Sequence, residues 1–306
     1  MPGQEPMNLR ALQSFGRLMN PPFLLGGVLF YALGLSVLDY LGLPIDRGRL
    51  VLGLLLVLLV QLTAQFLSAF FDAHPTRPGS PEPEPASAPV QVLLPRKVAL
   101  YASVISGGLF AVLCSGLAVQ GHGSWVSWLL LGLGFLIGFA YSLPPIKLVT
   151  RGYGELALSL GLAGLVPTYA FALQTGEPHR LVWLATAPLI ALYFAMLLAR
   201  RLQAFASDQA RQRRTLLVRL GWEAGMRLHD GAILFAAILI AAGLAGGLPW
   251  RIGLGGLIVL PLAAAQVWQM RRIRAGNPPD WRNLTAGGIA LVGLTTYFTF
   301  VGFLLS

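Results

Sequence analysis

The chain has 306 residues, 56% of them hydrophobic and only 11% charged, with a formal net charge of +10 and a mean hydropathy of +0.69. Soluble domains carry about 25% charged residues, so this composition excludes a soluble enzyme. It also excludes a nucleic-acid-binding role, since no basic soluble domain exists to carry one. The lone Cys114 lies in an apolar run, which excludes a disulfide framework and a cysteine metal site. The four histidines (74, 122, 179 and 229) have no metal-ligand spacing.

Nine apolar runs approach the roughly 20 residues that a helix needs to cross a bilayer: 22–43, 50–71, 98–119, 125–143, 154–174, 182–200, 230–248, 252–270 and 285–305. Lipid offers no partner to an open strand edge, and the short alternating segments of a barrel are not visible. The fold class is therefore all-α integral membrane, a single polytopic domain over 1–306. The first run is too long for the apolar region of a cleavable signal peptide. With nine spans, Arg47, Arg49, Arg180 and Arg251 fall on one side, and the other eighteen of the 22 Lys and Arg fall opposite, with the N-terminus. The positive-inside rule makes that second side cytoplasmic, in a bacterial inner membrane, and makes the basicity topological.

Residues 1–21 form a cytoplasmic segment. Leu9, Leu12, Phe15 and Leu18 recur there at helical spacing beside Arg10 and Arg17, the pattern of an interfacial helix. Pro21 and Pro22 open the first span, where a missing amide donor costs little. The second span closes on Asp72, in QFLSAFFDAHPTR. The segment 73–97 then carries seven prolines and reads either as a plain linker or as a lid over a cytoplasmic mouth. Span 4 contains Gly134-x-x-x-Gly138, a close-approach pattern. It ends at Tyr141, before SLPPIKLVTRGYGEL, a structured turn with Lys147, Arg151 and Glu155. Spans 5 and 6 contain Pro167 and Pro188. Span 6 leaves the membrane in ARRLQAFASDQARQRRTLLVRLG (199–221), with Arg200 and Arg201, then Asp208, then Arg211, Arg213 and Arg214. A cytoplasmic loop over 201–229 follows. Spans 7 to 9 are nearly free of ionisable groups and read as scaffold, with Asp230 interfacial. The two acid-bearing ends fall on spans 2 and 6, a spacing that suits a central site between two halves.

Several stretches resemble the UbiA superfamily of intramembrane prenyltransferases, most nearly the menaquinone branch that prenylates dihydroxynaphthoate. They are AYSLPPIKLVTRGYGELALSLGLAGLVPTYAFALQTG (140–176), RRTLLVRLG (213–221), NPPF (20–23) and PRKVALYAS (95–103). The resemblance implies nine helices around a central cavity open to lipid, with a polar site at the cytoplasmic side. Its implied substrates are a prenyl diphosphate and an aromatic quinone precursor, within membrane lipid. It also implies Mg²⁺, held on the diphosphate by two aspartate-rich motifs. Such a hard ion takes oxygen ligands and neutralises the charge that builds as diphosphate leaves an allylic carbon. On this chain the implied catalytic and metal-binding residues are Asp72 and Asp208. Lys147, Arg151, Arg200, Arg201 and Arg17 would contact diphosphate. Tyr141, Ser68, Phe70 and Phe71 would line the prenyl cavity, with aromatic faces toward an allylic cation.

The chain also departs from that pattern. Where the first motif has Asn-Asp, then Asp and Asp, it reads Ser68, Ala69, Asp72 and Thr76. Where the second has Asn and then two Asp four apart, it reads Arg200 or Arg201, Ala204 and Asp208. Two carboxylates are too few for the usual magnesium cluster. Two readings follow. One is an active prenyltransferase in which basic groups take over part of the metal's work. The other is a catalytically impaired homologue that binds or carries an isoprenoid or quinone, or serves as a scaffold. A transporter or channel ranks last, because the spans carry almost no ionisable residue away from their ends.

Overall fold

The computed structural model describes residues 16, 19–72, 96–210 and 213–306. Arg17 and most of the proline-rich segment, 73–95, lie outside the described residues. Among those described, nine helices are long and apolar enough to span a membrane, and no strand occurs.

In chain order the helices are α1 (Pro21–Tyr40), α2 (Arg47–Asp72), α3 (Arg96–Val119), α4 (Trp125–Ser142), the one-turn α5 (Leu148–Arg151), α6 (Gly154–Ser159), α7 (Val166–Thr175) and α8 (Arg180–Gln203). The short α9 (Phe205–Ala210) and α10 (Leu216–Leu220) follow, then α11 (Trp222–Ala245), α12 (Trp250–Arg274) and α13 (Trp281–Leu304). The fifth span is composite. Between α6 and α7 the chain winds as a π-helix over Leu160–Leu165. Pro167 has no amide to continue the i→i−4 ladder, and the wider register falls just before it. Thr168 Oγ donates to the Gly164 carbonyl at 2.8 Å, which returns one bond to that stretch.

Spans 5 and 6 are the axis of the bundle, each 61% buried, whereas the third span is only 17% buried. The sixth span, α8, packs most extensively against α11; α1 packs against α7; α13 touches both α1 and α8, which closes the ring. At the α1–α7 crossing a Cβ on Gly34 would overlap the Pro167 carbonyl, so only glycine permits that approach. Polar side chains bridge helices where lipid supplies no donor. Ser142 Oγ donates to the Ala64 carbonyl (2.7 Å), Gln61 Nε2 to the Phe23 carbonyl (2.9 Å), and Thr63 Oγ1 to Ser106 Oγ (2.9 Å).

The helix bounds differ most from the sequence expectation at the seventh span. Its helix begins at Trp222, eight residues before the apolar run that starts at 230. The extension is amphipathic: the exposed Arg227 guanidinium meets Glu223 four residues back at 2.9 Å, an i,i+4 pair that supports helix outside lipid. The segment 201–229 is accordingly mostly short helix rather than open loop.

Candidate active site

The C-terminal ends of α2, α4 and α8 lie on one side of the bundle, together with α5, α9 and α10. The turn between α4 and α6 lies between the two acid-bearing helix ends. On one flank, Lys147 Nζ donates to the Phe71 carbonyl in the last turn of α2, at 3.5 Å. On the other, Arg201 Nε donates to Glu155 Oε1 at 2.9 Å. Lys147 holds a left-handed backbone conformation (φ +36°), unusual for a residue with a Cβ. Gly152 (φ +86°) lets the turn lie against the start of α10. A Cβ there would come within 3.0 Å of the Leu216 amide nitrogen.

Arg201 stands at the centre of the charge network. Its second ion pair runs from Nη1 to Asp208 Oδ2 at 3.7 Å, and Arg213 Nη1 lies 3.6 Å from Asp208 Oδ1. Glu155 and Asp208 are each only 3% exposed. Two of their oxygens, Glu155 Oε2 and Asp208 Oδ2, are buried without a hydrogen-bond donor. Asp208 is placed by α9, where its amide donates to the Ala204 carbonyl (2.9 Å), and its own carbonyl accepts from the Arg213 amide (2.9 Å). Tyr141, half-buried at the end of α4, lies within electrostatic reach of Arg201.

The other expected site residues fall as follows. Arg200 and Arg151 are exposed. At 100° per residue, Arg200 cannot share the direction of Arg201. Asp72 is the last residue of α2. Ser68, Phe70 and Phe71 occupy its final turns and are half-buried. The face of the Phe70 ring is already taken by the Arg96 guanidinium, 4.4 Å from its centroid. Glu155 was visible in the sequence only as part of a turn, and Arg213 only as part of a basic run. Their pairing with residues 46 and 5 positions away is a product of the fold.

Below this mouth lies an apolar cavity, about 590 Å³ including its open end. It is walled by α2 (Val57, Val60, Ala64), α4 (Gly134, Gly138) and the π segment, with Gln61 and Tyr169 as its polar members. Gly138 packs against Ala64, since a Cβ added there would come within 3.2 Å of the Ala64 Cβ, whereas a Cβ at Gly134 would meet nothing within 4 Å. So of the two glycines in the close-approach pattern, one serves packing and the other leaves room. At 1.5 Å per residue, Ala64 lies about 12 Å and Val57 about 22 Å along α2 from Asp72. The aromatic residues expected to line the cavity sit nearer the mouth than this lining.

A magnesium site requires several oxygen ligands that are not otherwise committed. Among the described residues no group of three or more His, Cys, Asp or Glu is placed to hold a metal ion. Glu155 and Asp208 face guanidinium groups instead. The residues described here do not fit the ion that the resemblance implies.

Comparison with known proteins agrees with the architecture. One curated relative, the 1,4-dihydroxy-2-naphthoate octaprenyltransferase of Bacillus subtilis (strain 168), is 28% identical over 160 residues, 52% of this chain and 47% of that protein. The match thus spans about half the length of that relative. Among solved structures, a UbiA homologue from Archaeoglobus fulgidus bound to Cd²⁺ superposes with a TM-score of 0.65 at 15% identity, covering 95% of this chain and 99% of that one. The same homologue bound to GPP and Mg²⁺ gives a TM-score of 0.64 at 17% identity, again over 95% and 99%. At such identities these structures speak to the fold alone. The UbiA prenyltransferase family matches residues 28–292, from the first span into the ninth, and the chain therefore belongs to the UbiA prenyltransferase family.

Proposed function

We propose that the chain transfers a polyprenyl group from its diphosphate to an aromatic quinone precursor at the cytoplasmic face of a bacterial inner membrane. The observation that carries this reading is the placement of an apolar cavity directly beneath a mouth rich in Lys and Arg. A prenyl diphosphate has that same division, a greasy chain and a multiply charged head. The bound head lies at the mouth, near Lys147, and the chain runs down between α2, α4 and the π segment. In the reaction the allylic C–O bond breaks and its electron pair leaves with the diphosphate. An electron-rich ring carbon then forms the new C–C bond, and the ring loses a proton or a carboxyl group to regain aromaticity. Fixed cations at the mouth stabilise the departing charge in a place with little water. The naphthoate relative makes dihydroxynaphthoate the first acceptor to try, and the excess of basic residues on the mouth side supports its cytoplasmic orientation.

A second reading, a homologue that binds isoprenoid or quinone without turnover, draws on one observation: Glu155 and Asp208 are engaged by arginines. The test is direct. Protein purified in detergent is given a radiolabelled prenyl diphosphate and dihydroxynaphthoate, with Mg²⁺ and separately with EDTA. Prenylated product is the expected result. Saturable retention of the diphosphate or a quinone, with no product in either condition, moves the assignment to the binding homologue. Cavity depth is checked by Gly134→Phe, whose ring enters open space. It should lower the use of long prenyl donors about tenfold relative to geranyl diphosphate, the effect of roughly 1.4 kcal/mol of lost binding.

A further inference from the structure

We infer that the Arg201 guanidinium is the resident cation of this site, standing in place of a divalent metal, so that the chain binds prenyl diphosphate without Mg²⁺. The inference rests on the reading of diphosphate as ligand and goes beyond it in saying what neutralises the diphosphate.

Three observations carry it. First, Arg201 does what a bridging metal does in a carboxylate site. It joins two buried acids that come from separate elements, Glu155 at the start of α6 and Asp208 on α9. A guanidinium is a fixed, always-charged fork whose planar donors match carboxylate oxygens. Second, Asp208 is contacted from both sides, with Arg213 at the other oxygen. A doubly charged ion placed there would sit against two guanidiniums within a few ångströms, and the charge of Glu155 and Asp208 is already offset by them. Third, the sign of the site favours the anion directly. Across 141–155 and 200–214 the sequence places seven Lys or Arg against Glu155 and Asp208, with Asp72 as a third acid. A site rich in uncommitted carboxylates repels diphosphate until metal is loaded. This one carries an excess of positive charge in its sequence, and Glu155 and Asp208 are already paired with Arg201 and Arg213, a balance that favours phosphate oxygens.

The arrangement also predicts what removing the guanidinium does. Glu155 Oε2 and Asp208 Oδ2 are already buried and lack donors. Without Arg201, Glu155 would lose its cation and Asp208 would keep only Arg213 at Oδ1, leaving buried carboxylate oxygens uncommitted, which is the chemistry of a hard-metal site.

The experiment uses the full chain in detergent. Mn²⁺, a paramagnetic probe for the Mg²⁺ position, is titrated against wild type and Arg201→Asn and followed by electron paramagnetic resonance. Geranyl diphosphate affinity is measured for each protein with EDTA and with Mg²⁺. Wild type is expected to take up no stoichiometric Mn²⁺ and to bind geranyl diphosphate with affinities in EDTA and in Mg²⁺ that agree within about threefold, less than the tenfold that 1.4 kcal/mol sets. Arg201→Asn is expected to gain a Mn²⁺ site and to bind geranyl diphosphate at least about tenfold more tightly with Mg²⁺ than with EDTA. Stoichiometric Mn²⁺ on wild type, or geranyl diphosphate binding that EDTA abolishes, overturns the inference. If Arg201→Asn does not fold, Arg201→Lys, which retains a cation, replaces it and should remain insensitive to EDTA; EDTA-sensitive binding there counts against the inference. The wild-type comparison needs no variant. A protein that binds no geranyl diphosphate under any condition overturns the prenyl diphosphate reading, while the Mn²⁺ titrations still decide between guanidinium and metal.

Discussion

At the end of α8 a single guanidinium gathers two carboxylates, with Arg201 on Glu155 at 2.9 Å and on Asp208 at 3.7 Å, both acids buried. At the end of α2 a lysine meets a backbone carbonyl, Lys147 Nζ donating to the Phe71 oxygen at 3.5 Å. The sequence places acid-bearing ends on spans 2 and 6, four spans apart, a spacing that suits a central site between two halves. Their chemistry differs. One end is a closed charge network that fixes helices to one another. At the other, a lysine from the turn after α4 donates to a carbonyl in the last turn of α2. The lesson is that an acid at a helix end does not announce a metal ligand. What faces it decides, and an arginine 46 residues from its glutamate partner, in the right turn, converts ligand into structure.

The sharpest way to break this contrast is Glu155→Ala. It leaves Arg201 without its hydrogen-bonded partner and opens the junction between α6 and α8. Removing one member of a buried pair costs about 3 kcal/mol at the low end, and the variant should unfold at a clearly lower temperature in detergent. A melting temperature equal to wild type would mean that the network is decorative. Asp208→Ala should destabilise less, by about 2 kcal/mol, since its arginine contacts are longer, at 3.6 and 3.7 Å. Measured beside it, Asp72→Ala should lower prenyl transfer. If Asp72→Ala instead matches the thermal loss of Asp208→Ala, the two ends are alike after all.

Some of this was legible in residues alone. The nine spans follow from hydropathy and length, and the turn 143–154 declared itself through its prolines, glycines and charges. The start of α11 was not legible. Its first turns are amphipathic: Glu223 and Arg227 are exposed and interrupt the apolar run, while Met226 is buried. Pro167 was visible as an interruption, but its consequence, a π segment over Leu160–Leu165 that lines the cavity, was not. The roles of Gly134 and Gly138 looked identical in sequence and differ only because α2 presents Ala64 to one of them. Arg200 and Arg201 likewise separate only once the direction of α8 is fixed.

Lys147 sharpens the comparison from the α2 side. Its left-handed backbone carries a penalty of about 1 kcal/mol that a glycine would not incur. Lys147→Gly should therefore raise stability slightly while weakening geranyl diphosphate binding about tenfold, the size of one lost charge-assisted contact. Lys147→Ala should show the same binding loss without the gain. If both variants bind as tightly as wild type, the α2 end does not meet the diphosphate.

The smallest effect is expected at Arg96, on the first turn of α3, whose guanidinium lies over the Phe70 ring at 4.4 Å. This contact ties the start of the third span to the last turns of α2. Cation–π pairs at exposed positions contribute about 0.5–1 kcal/mol, so Arg96→Ala should lower the melting temperature only marginally. Its informative readout is a double-mutant cycle with Phe70→Leu. A coupling within that range would show that the α2 end is held by a local contact between neighbouring spans. The same cycle between Arg201 and Glu155 should give a larger coupling, because that pair is buried and hydrogen-bonded. Equal couplings at the two ends would remove the asymmetry from which the assignment of Arg201 as the fixed cation begins.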